Sequence, residues 1–177
     1  PARAPQAGEF MNGQIPEERP TAPESPAQTR RVALEIEKPV VTYVLMGVIA
    51  LFFIAQTLCT QFLGFDLPAA LLSKIRSEIL AGQLWRLITP ILLHGSILHV
   101  GLNLYALWIL GRQLEGIYGH WRFLILFLVA GFGGNVLSFV FSPNVSLGSS
   151  TGIFGLLAAE FLLILQNKQF FGPRARS

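Results

Sequence analysis

The sequence predicts an all-α, polytopic membrane helix bundle with four spanning helices. Three observations carry this. Charged residues are 13% of the 177 and apolar residues 52%, with a mean hydropathy of +0.54; a soluble domain carries about 25% charge to face water. The charges are also segregated, with none in 39–65, 87–111 or 123–159. Finally, those gaps are long enough for spans, each of which needs about 20 apolar residues.

The same numbers exclude other classes. The pI is near 9.4, but the net charge is only +3 and no Lys/Arg run exceeds Arg30-Arg31. That is no nucleic-acid footprint. A single cysteine, Cys59, excludes an internal disulfide framework and a multi-Cys zinc site. No metal is implied by His94 and His99 at their spacing, and no cofactor is expected.

Residues 1–38 hold six of the eleven prolines and eleven of the twenty-three charges, without an apolar period. They are expected to form a disordered cytoplasmic tail. Residues 39–177 are expected to form the membrane domain. Its first span is 40–62, followed by an outer loop over 63–93. In that loop Asp66-Leu67-Pro68 is a helix start, with Asp66 as N-cap and an early proline. Leu71, Leu72, Ile75 and Ile79 then share one face, and Ser73, Lys74, Arg76, Ser77 and Glu78 lie mostly on the other. The pattern predicts an amphipathic helix in the membrane interface, also compatible with packing on the bundle.

The second span is 97–114. The apolar run 123–159 is too long for one span and breaks at Ser142-Pro143-Asn144, which gives spans at 123–141 and 150–166. With the N-terminus inside, the inner flanks hold eight Lys/Arg (Arg30, Arg31, Lys38, Arg112, Arg122, Lys168, Arg174, Arg176) and the outer loops three (Lys74, Arg76, Arg86). This predicts that both termini are cytoplasmic.

Polar groups break the apolar pattern at a few points. His99 and Asn103 are four apart and share a helix face. Alone they read as interhelical glue, worth about 0.6 kcal/mol. The fourth span opens with Gly148-Ser149-Ser150-Thr151-Gly152. A serine there has free helix N–H groups beside it, which suits oxyanion stabilisation; serine is equally at home as a cap. Gly148/Gly152 and Gly155/Ala159 predict a closely packed neighbour helix. Glu160, about 15 Å further down the helix, reads as a structural group.

Together these motifs resemble the rhomboid intramembrane serine proteases. Trp85-Arg86-Leu87-Ile88-Thr89-Pro90-Ile91-Leu92-Leu93-His94 is similar to the family's Trp-Arg loop motif. His99-Val100-Gly101-Leu102-Asn103 is similar to its His-x-x-x-Asn. Gly111-x-x-x-Glu115-x-x-x-Gly119 follows, and Gly148-Ser149-Ser150-Thr151-Gly152-Ile153-Phe154-Gly155 resembles Gly-Ala-Ser-Gly-Ala-Ile-Phe-Gly. The resemblance covers residues 40–166. It implies Ser150 as nucleophile, with Asn103, His99 and the Ser150 N–H on the oxyanion. It places Ser149 at the family's alanine and Thr151 at its commonest glycine. It implies a structural His94, a loop-anchoring charge pair of Arg86 and Glu115, and Phe154 beside the catalytic histidine.

That histidine belongs to the family's sixth helix. His94, His99 and His120 are the histidines here, and none is expected to be the base; His120 lies at the cytoplasmic end. The expectation is an intramembrane serine endopeptidase whose dyad histidine is outside this chain, which alone is inactive. The alternative is a non-catalytic membrane subunit that binds transmembrane partners. The expected partners are the lipid bilayer, transmembrane substrates or partner helices, and missing C-terminal helices or another membrane subunit, with no nucleic acid. A channel or transporter has neither a charge ring nor an inverted repeat to support it.

Overall fold

Each of the four apolar runs forms a helix in the computed structural model, which describes residues 38–166. The Pro-rich segment up to residue 37 and the last residues, from 167, lie outside the described residues. Among the described residues the structure is all-helical, apart from one antiparallel bridge between Lys74 and Ser146.

Helix α1 (Val40–Leu63) has Pro39 at its N-cap, which offers no side-chain acceptor, and ends on Gly64 at φ 78°. Helices α2 (Leu67–Leu72) and α3 (Arg76–Leu80) follow, then two 3₁₀ turns, Leu84–Leu87 and Thr89–Leu92. Helix α4 is Ile97–Tyr118, capped by the Ser96 hydroxyl on His99 N at 3.2 Å. Gly119 alone separates it from α5 (His120–Phe141), and its φ of 78° with ψ of 166° is a conformation that only glycine adopts without strain. Helix α6 is Ser150–Gln166.

Helices α5 and α6 pack most extensively on each other; α4 packs on α1, α5 and α6. The shared core includes Leu45, Ile49, Leu107, Leu114, Phe123 and Phe127. Small residues set the α5–α6 approach. A Cβ at Gly152 would meet the Phe127 ring at 2.7 Å, and one at Gly155 would collide with the Ala130 Cβ. The close face therefore runs through Gly152 and Gly155, whereas Gly148 faces His99 of α4. We expect Gly155→Leu to force the helices apart and cost about 3 kcal/mol, as overpacking does. Ala130→Gly in the same chain should recover part of it, read by thermal unfolding in detergent.

Among the described residues two helices, α1 and α5, are long and apolar enough to cross a membrane by length and composition. Helix α6 is apolar but has 17 residues. Helix α4 has the length, yet it carries His99, Asn103, Arg112 and Glu115.

The loop between α1 and α4 departs from the expected single amphipathic helix. Ser73, Lys74 and Ile75 interrupt it, and Ser73 and Lys74, expected on the polar face, are fully enclosed. The cause is the supply of carbonyls with spare acceptor capacity at helix C-termini. Lys74 Nζ donates to Ser138 O at 3.2 Å and Ser142 O at 2.9 Å, at the end of α5, and to Ser138 Oγ at 3.1 Å. Arg76 Nη1 donates to Phe139 O at 2.7 Å. Burial first, and Arg76 second, lower the Lys74 pKa, but these acceptors suit an ammonium group and the helix dipole favours it.

The Trp-Arg motif does the same for α2. Arg86 donates to Ala70 O and Ser73 O, both at 2.8 Å, Trp85 Nε1 to Leu71 O at 3.2 Å, and Thr89 Oγ1 to Leu72 O at 2.7 Å. Four consecutive carbonyls are thus capped. At the other end the Asp66 side chain accepts from Ala69 N at 2.9 Å, the N-cap the sequence predicts.

Arg86 therefore does not pair with Glu115. The Glu115 carboxylate accepts from Val41 N at 2.8 Å, Thr42 N at 2.7 Å and Thr42 Oγ1 at 2.6 Å. His120 Nδ1 lies 2.5 Å from its Oε1. This carboxylate supplies the N-terminal cap that Pro39 cannot, which is the favourable end of the α1 dipole for a negative charge. Glu160 is half-buried, and its carboxyl has no hydrogen-bond partner among the described residues.

Candidate active site

The sequence presents three hydroxyls in succession, Ser149, Ser150 and Thr151. Their environments differ. Ser149 is fully buried, with Oγ 3.2 Å from His94 Nε2. Thr151 Oγ1 donates to Gly131 O on α5 at 3.4 Å. Ser150, the first residue of α6, is half-exposed, and no side chain among the described residues hydrogen-bonds its hydroxyl. Two of the three hydroxyls are engaged by the scaffold, and the third has no hydrogen-bond partner among the described residues.

Gly148 fixes what lies beside Ser150. Its φ is +133°, and a Cβ there would sit 2.9 Å from His99 Nε2 and 3.6 Å from Ser150 Oγ. The imidazole of His99 and the hydroxyl of Ser150 thus flank the space that a side chain at 148 would fill. The Gly148 amide donates to Pro90 O at 2.8 Å, tying this turn to the 3₁₀ turn Thr89–Leu92. At the head of α6 the first helical bond runs from Ile153 N to Ser149 O at 3.0 Å. The amides of Ser150, Thr151 and Gly152 have no hydrogen-bond partner among the described residues. An open hydroxyl, an imidazole and unpaired amides therefore converge at the N-terminus of α6, the positive end of its dipole.

Asn103 shares the His99 face of α4 and is 7% exposed. Its Nδ2 donates to His99 O at 2.8 Å, one turn back on the same helix. The structure brings His99 to Ser150 and aligns Asn103 behind it, but shows no direct bond from Asn103 to Ser150.

His94 is enclosed beneath this group. Its ring meets that of His99 edge-on, with centroids 5.0 Å apart. Its main-chain N–H donates to Gln56 Oε1 at 2.9 Å, and Gln56 Nε2 donates to Asp66 Oδ2 at 2.7 Å. Burial above all, and then the neighbouring His99, push the His94 pKa down to about 4, against a small raising effect of the Leu92 carbonyl. His94 Nδ1 has no hydrogen-bond partner among the described residues. His94 is neutral at neutral pH. His120 is engaged with Glu115, at the N-terminus of α1 and not at Ser150. Phe154, one turn after Ser150, is 69% exposed.

Sequence reasoning missed Gln56 and the capping role of Lys74. Gln56 did leave a signal: it is an amide in a span that carries no charged residue.

Comparison with known proteins gives consistent matches. The family model described as Rhomboid domain matches residues 81–176. The chain is 36% identical over 166 residues to rhomboid protease GluP of Bacillus subtilis, covering 92% of this chain and 33% of that protein. It is 32% identical over 129 residues to the putative rhomboid protease YdcA of the same organism, covering 68% of this chain and 65% of that protein. RHOMBOID-like protein 1 of Arabidopsis thaliana is 40% identical over 86 residues, 48% of this chain and 22% of that protein. The chain thus spans a third of GluP and less than two thirds of YdcA.

Proposed function

Because the chain belongs to the rhomboid family and is an integral membrane protein, we propose that it carries the nucleophile of an intramembrane serine endopeptidase. Ser150 is the nucleophile, and the Ser150 N–H, His99 and Asn103 stabilise the oxyanion. The substrate class is transmembrane protein segments. The observation that supports this best is the convergence of an open Ser150 hydroxyl, the His99 imidazole and unpaired α6 amides around Gly148.

In this reading Ser150 Oγ attacks the scissile carbonyl carbon, and its proton passes to a histidine base. The oxygen gains charge beside the α6 amides, where preorganised donors count most. Collapse expels the amine with the transferred proton, and water then releases the acyl group. Among the described residues the Ser150 hydroxyl has no hydrogen-bond partner, and in this reading the base comes from outside this chain, through further helices or another membrane subunit. A serine without a base is a weak nucleophile, so the chain alone is inactive.

The membrane part, 39–177, crosses the bilayer four times through α1, α4, α5 and α6, with residues 1–38 as a cytoplasmic tail. The polar residues of α4 count against a span by composition, yet Asn103 and Glu115 are buried within protein, where intramembrane polar groups are tolerated. The three outer cations Lys74, Arg76 and Arg86 are bound to helix carbonyls, which sharpens the charge bias toward a cytoplasmic N-terminus.

The test is reaction of the full-length protein, reconstituted in vesicles, with a fluorophosphonate probe and a transmembrane reporter. We expect the adduct on Ser150 and cleavage near the outer-facing end of the reporter. An adduct on Ser149 or Thr151 would reassign the nucleophile. Absence of both labelling and cleavage would favour a subunit that binds transmembrane partners without cutting them.

A further inference from the structure

A serine that precedes a helix ordinarily turns its hydroxyl onto the amides of that helix. Ser149 occupies this position, since its carbonyl accepts the first helical bond of α6. Its hydroxyl goes elsewhere, to His94 Nε2 at 3.2 Å, and its own N–H points at the same nitrogen at 3.4 Å. A backbone N–H can only donate, so the Ser149 N–H favours the tautomer in which Nε2 accepts and the ring proton sits on Nδ1, which has no partner among the described residues. The Ser149 hydroxyl then shares the single Nε2 lone pair with that N–H. Both side chains are sealed, at 0% and 2% exposure, so water does not compete for this bond.

The consequence falls on the neighbouring amides. Turned inward, the Ser149 hydroxyl would accept from the first turn of α6 and occupy donors that an oxyanion needs. With the hydroxyl held by His94, the amides of Ser150, Thr151 and Gly152 are unpaired among the described residues. The Thr151 hydroxyl is likewise drawn off to Gly131 O.

We propose that His94 is a positioning residue that holds the Ser149 hydroxyl off the α6 N-terminus, and so keeps the first-turn amides free for the carbonyl oxygen of the substrate. This rests on the protease reading of Ser150. It gives a role to the hydroxyl at position 149 itself: the hydroxyl is a competitor that must be restrained.

The test is a double-mutant cycle in the full-length protein, measured as kcat and KM on a transmembrane reporter. Ser149→Ala should keep wild-type turnover, because it removes the competitor. His94→Leu releases the hydroxyl onto α6 and should lower kcat about tenfold with KM unchanged, part of the roughly 10²–10³-fold value of one oxyanion donor. Adding Ser149→Ala to His94→Leu should restore most of the lost kcat. A double variant no better than His94→Leu overturns the proposal, since support of His99 or of loop packing by His94 cannot be restored by deleting a hydroxyl. Should His94→Leu fail to fold, the ¹⁵N resonances of His94 decide. Nε2 should lie in the unprotonated range and move on Ser149→Ala; a protonated Nε2, or one that does not move, overturns the proposal. If the unsubstituted protein neither cleaves nor labels, the protease reading fails, and the Nε2 resonance still judges where the hydroxyl points.

Discussion

Replacing Ser150 by alanine in the full-length protein is expected to reduce reporter cleavage about 10⁶-fold, the loss seen when a serine protease loses its nucleophile. The same change at Ser149 or Thr151 should leave labelling by the probe in place. The contrast follows from where the three hydroxyls go. Ser149 is buried on His94 and Thr151 is turned to the Gly131 carbonyl. Only the Ser150 hydroxyl is both open and beside an imidazole. Cleavage at the wild-type rate by Ser150→Ala would remove Ser150 from the chemistry and leave the fold unexplained by it. Because Ser150 has no side-chain partner among the described residues, Ser150→Ala should also melt close to the wild-type temperature, which separates lost chemistry from lost structure.

The second large effect is on stability. Glu115→Ala should destabilise the protein by about 3–5 kcal/mol, the cost of removing one partner from a buried charged network. Two backbone amides and the Thr42 hydroxyl lose their acceptor at once, and His120 loses its carboxylate. Pro39 cannot take over as a cap. Glu115→Gln should cost less, about 1–3 kcal/mol, because one oxygen still accepts while the new NH₂ faces donors. Chemical denaturation in detergent, with fluorescence of the three tryptophans as readout, gives both values. A wild-type midpoint for Glu115→Ala would mean that α1 is held by apolar packing alone. Thr42→Val, which deletes one donor and leaves the amides bonded, should fall well short of either.

The helices were legible because the information is local: a run without charge between turn residues is already a helix candidate. Asp66 was legible as a cap for the same reason, since its partner is three residues away. Ser150 was legible because its setting, a serine between glycines at a helix start, is written in a few adjacent letters. The partner of Glu115 was not. Its acceptor atoms meet Thr42 across 73 residues, and the loop motif offered Arg86 as an attractive but wrong partner. Arg86 is instead consumed by α2 carbonyls, whose shortage of partners exists only once α2 ends at Leu72. Lys74 failed for a related reason. A lysine on a helical wheel beside Arg76 and Glu78 looks solvated, and only the carbonyl end of α5, over sixty residues later, makes its burial favourable. Periodicity reports which face is apolar. It does not report which backbone groups elsewhere lack partners.

The Lys74 clamp also sets what the serine turn depends on. Lys74 reaches its acceptors across 64 and 68 residues of chain, a separation whose loop-closure cost the contact itself must offset. One ammonium group thereby joins the loop to the C-terminal end of α5, and the bridge from Lys74 to Ser146 ties the same residue to the segment that leads into α6. A lysine far from Ser150 in sequence is thus a shared anchor for the helix before the serine and for the turn that presents it.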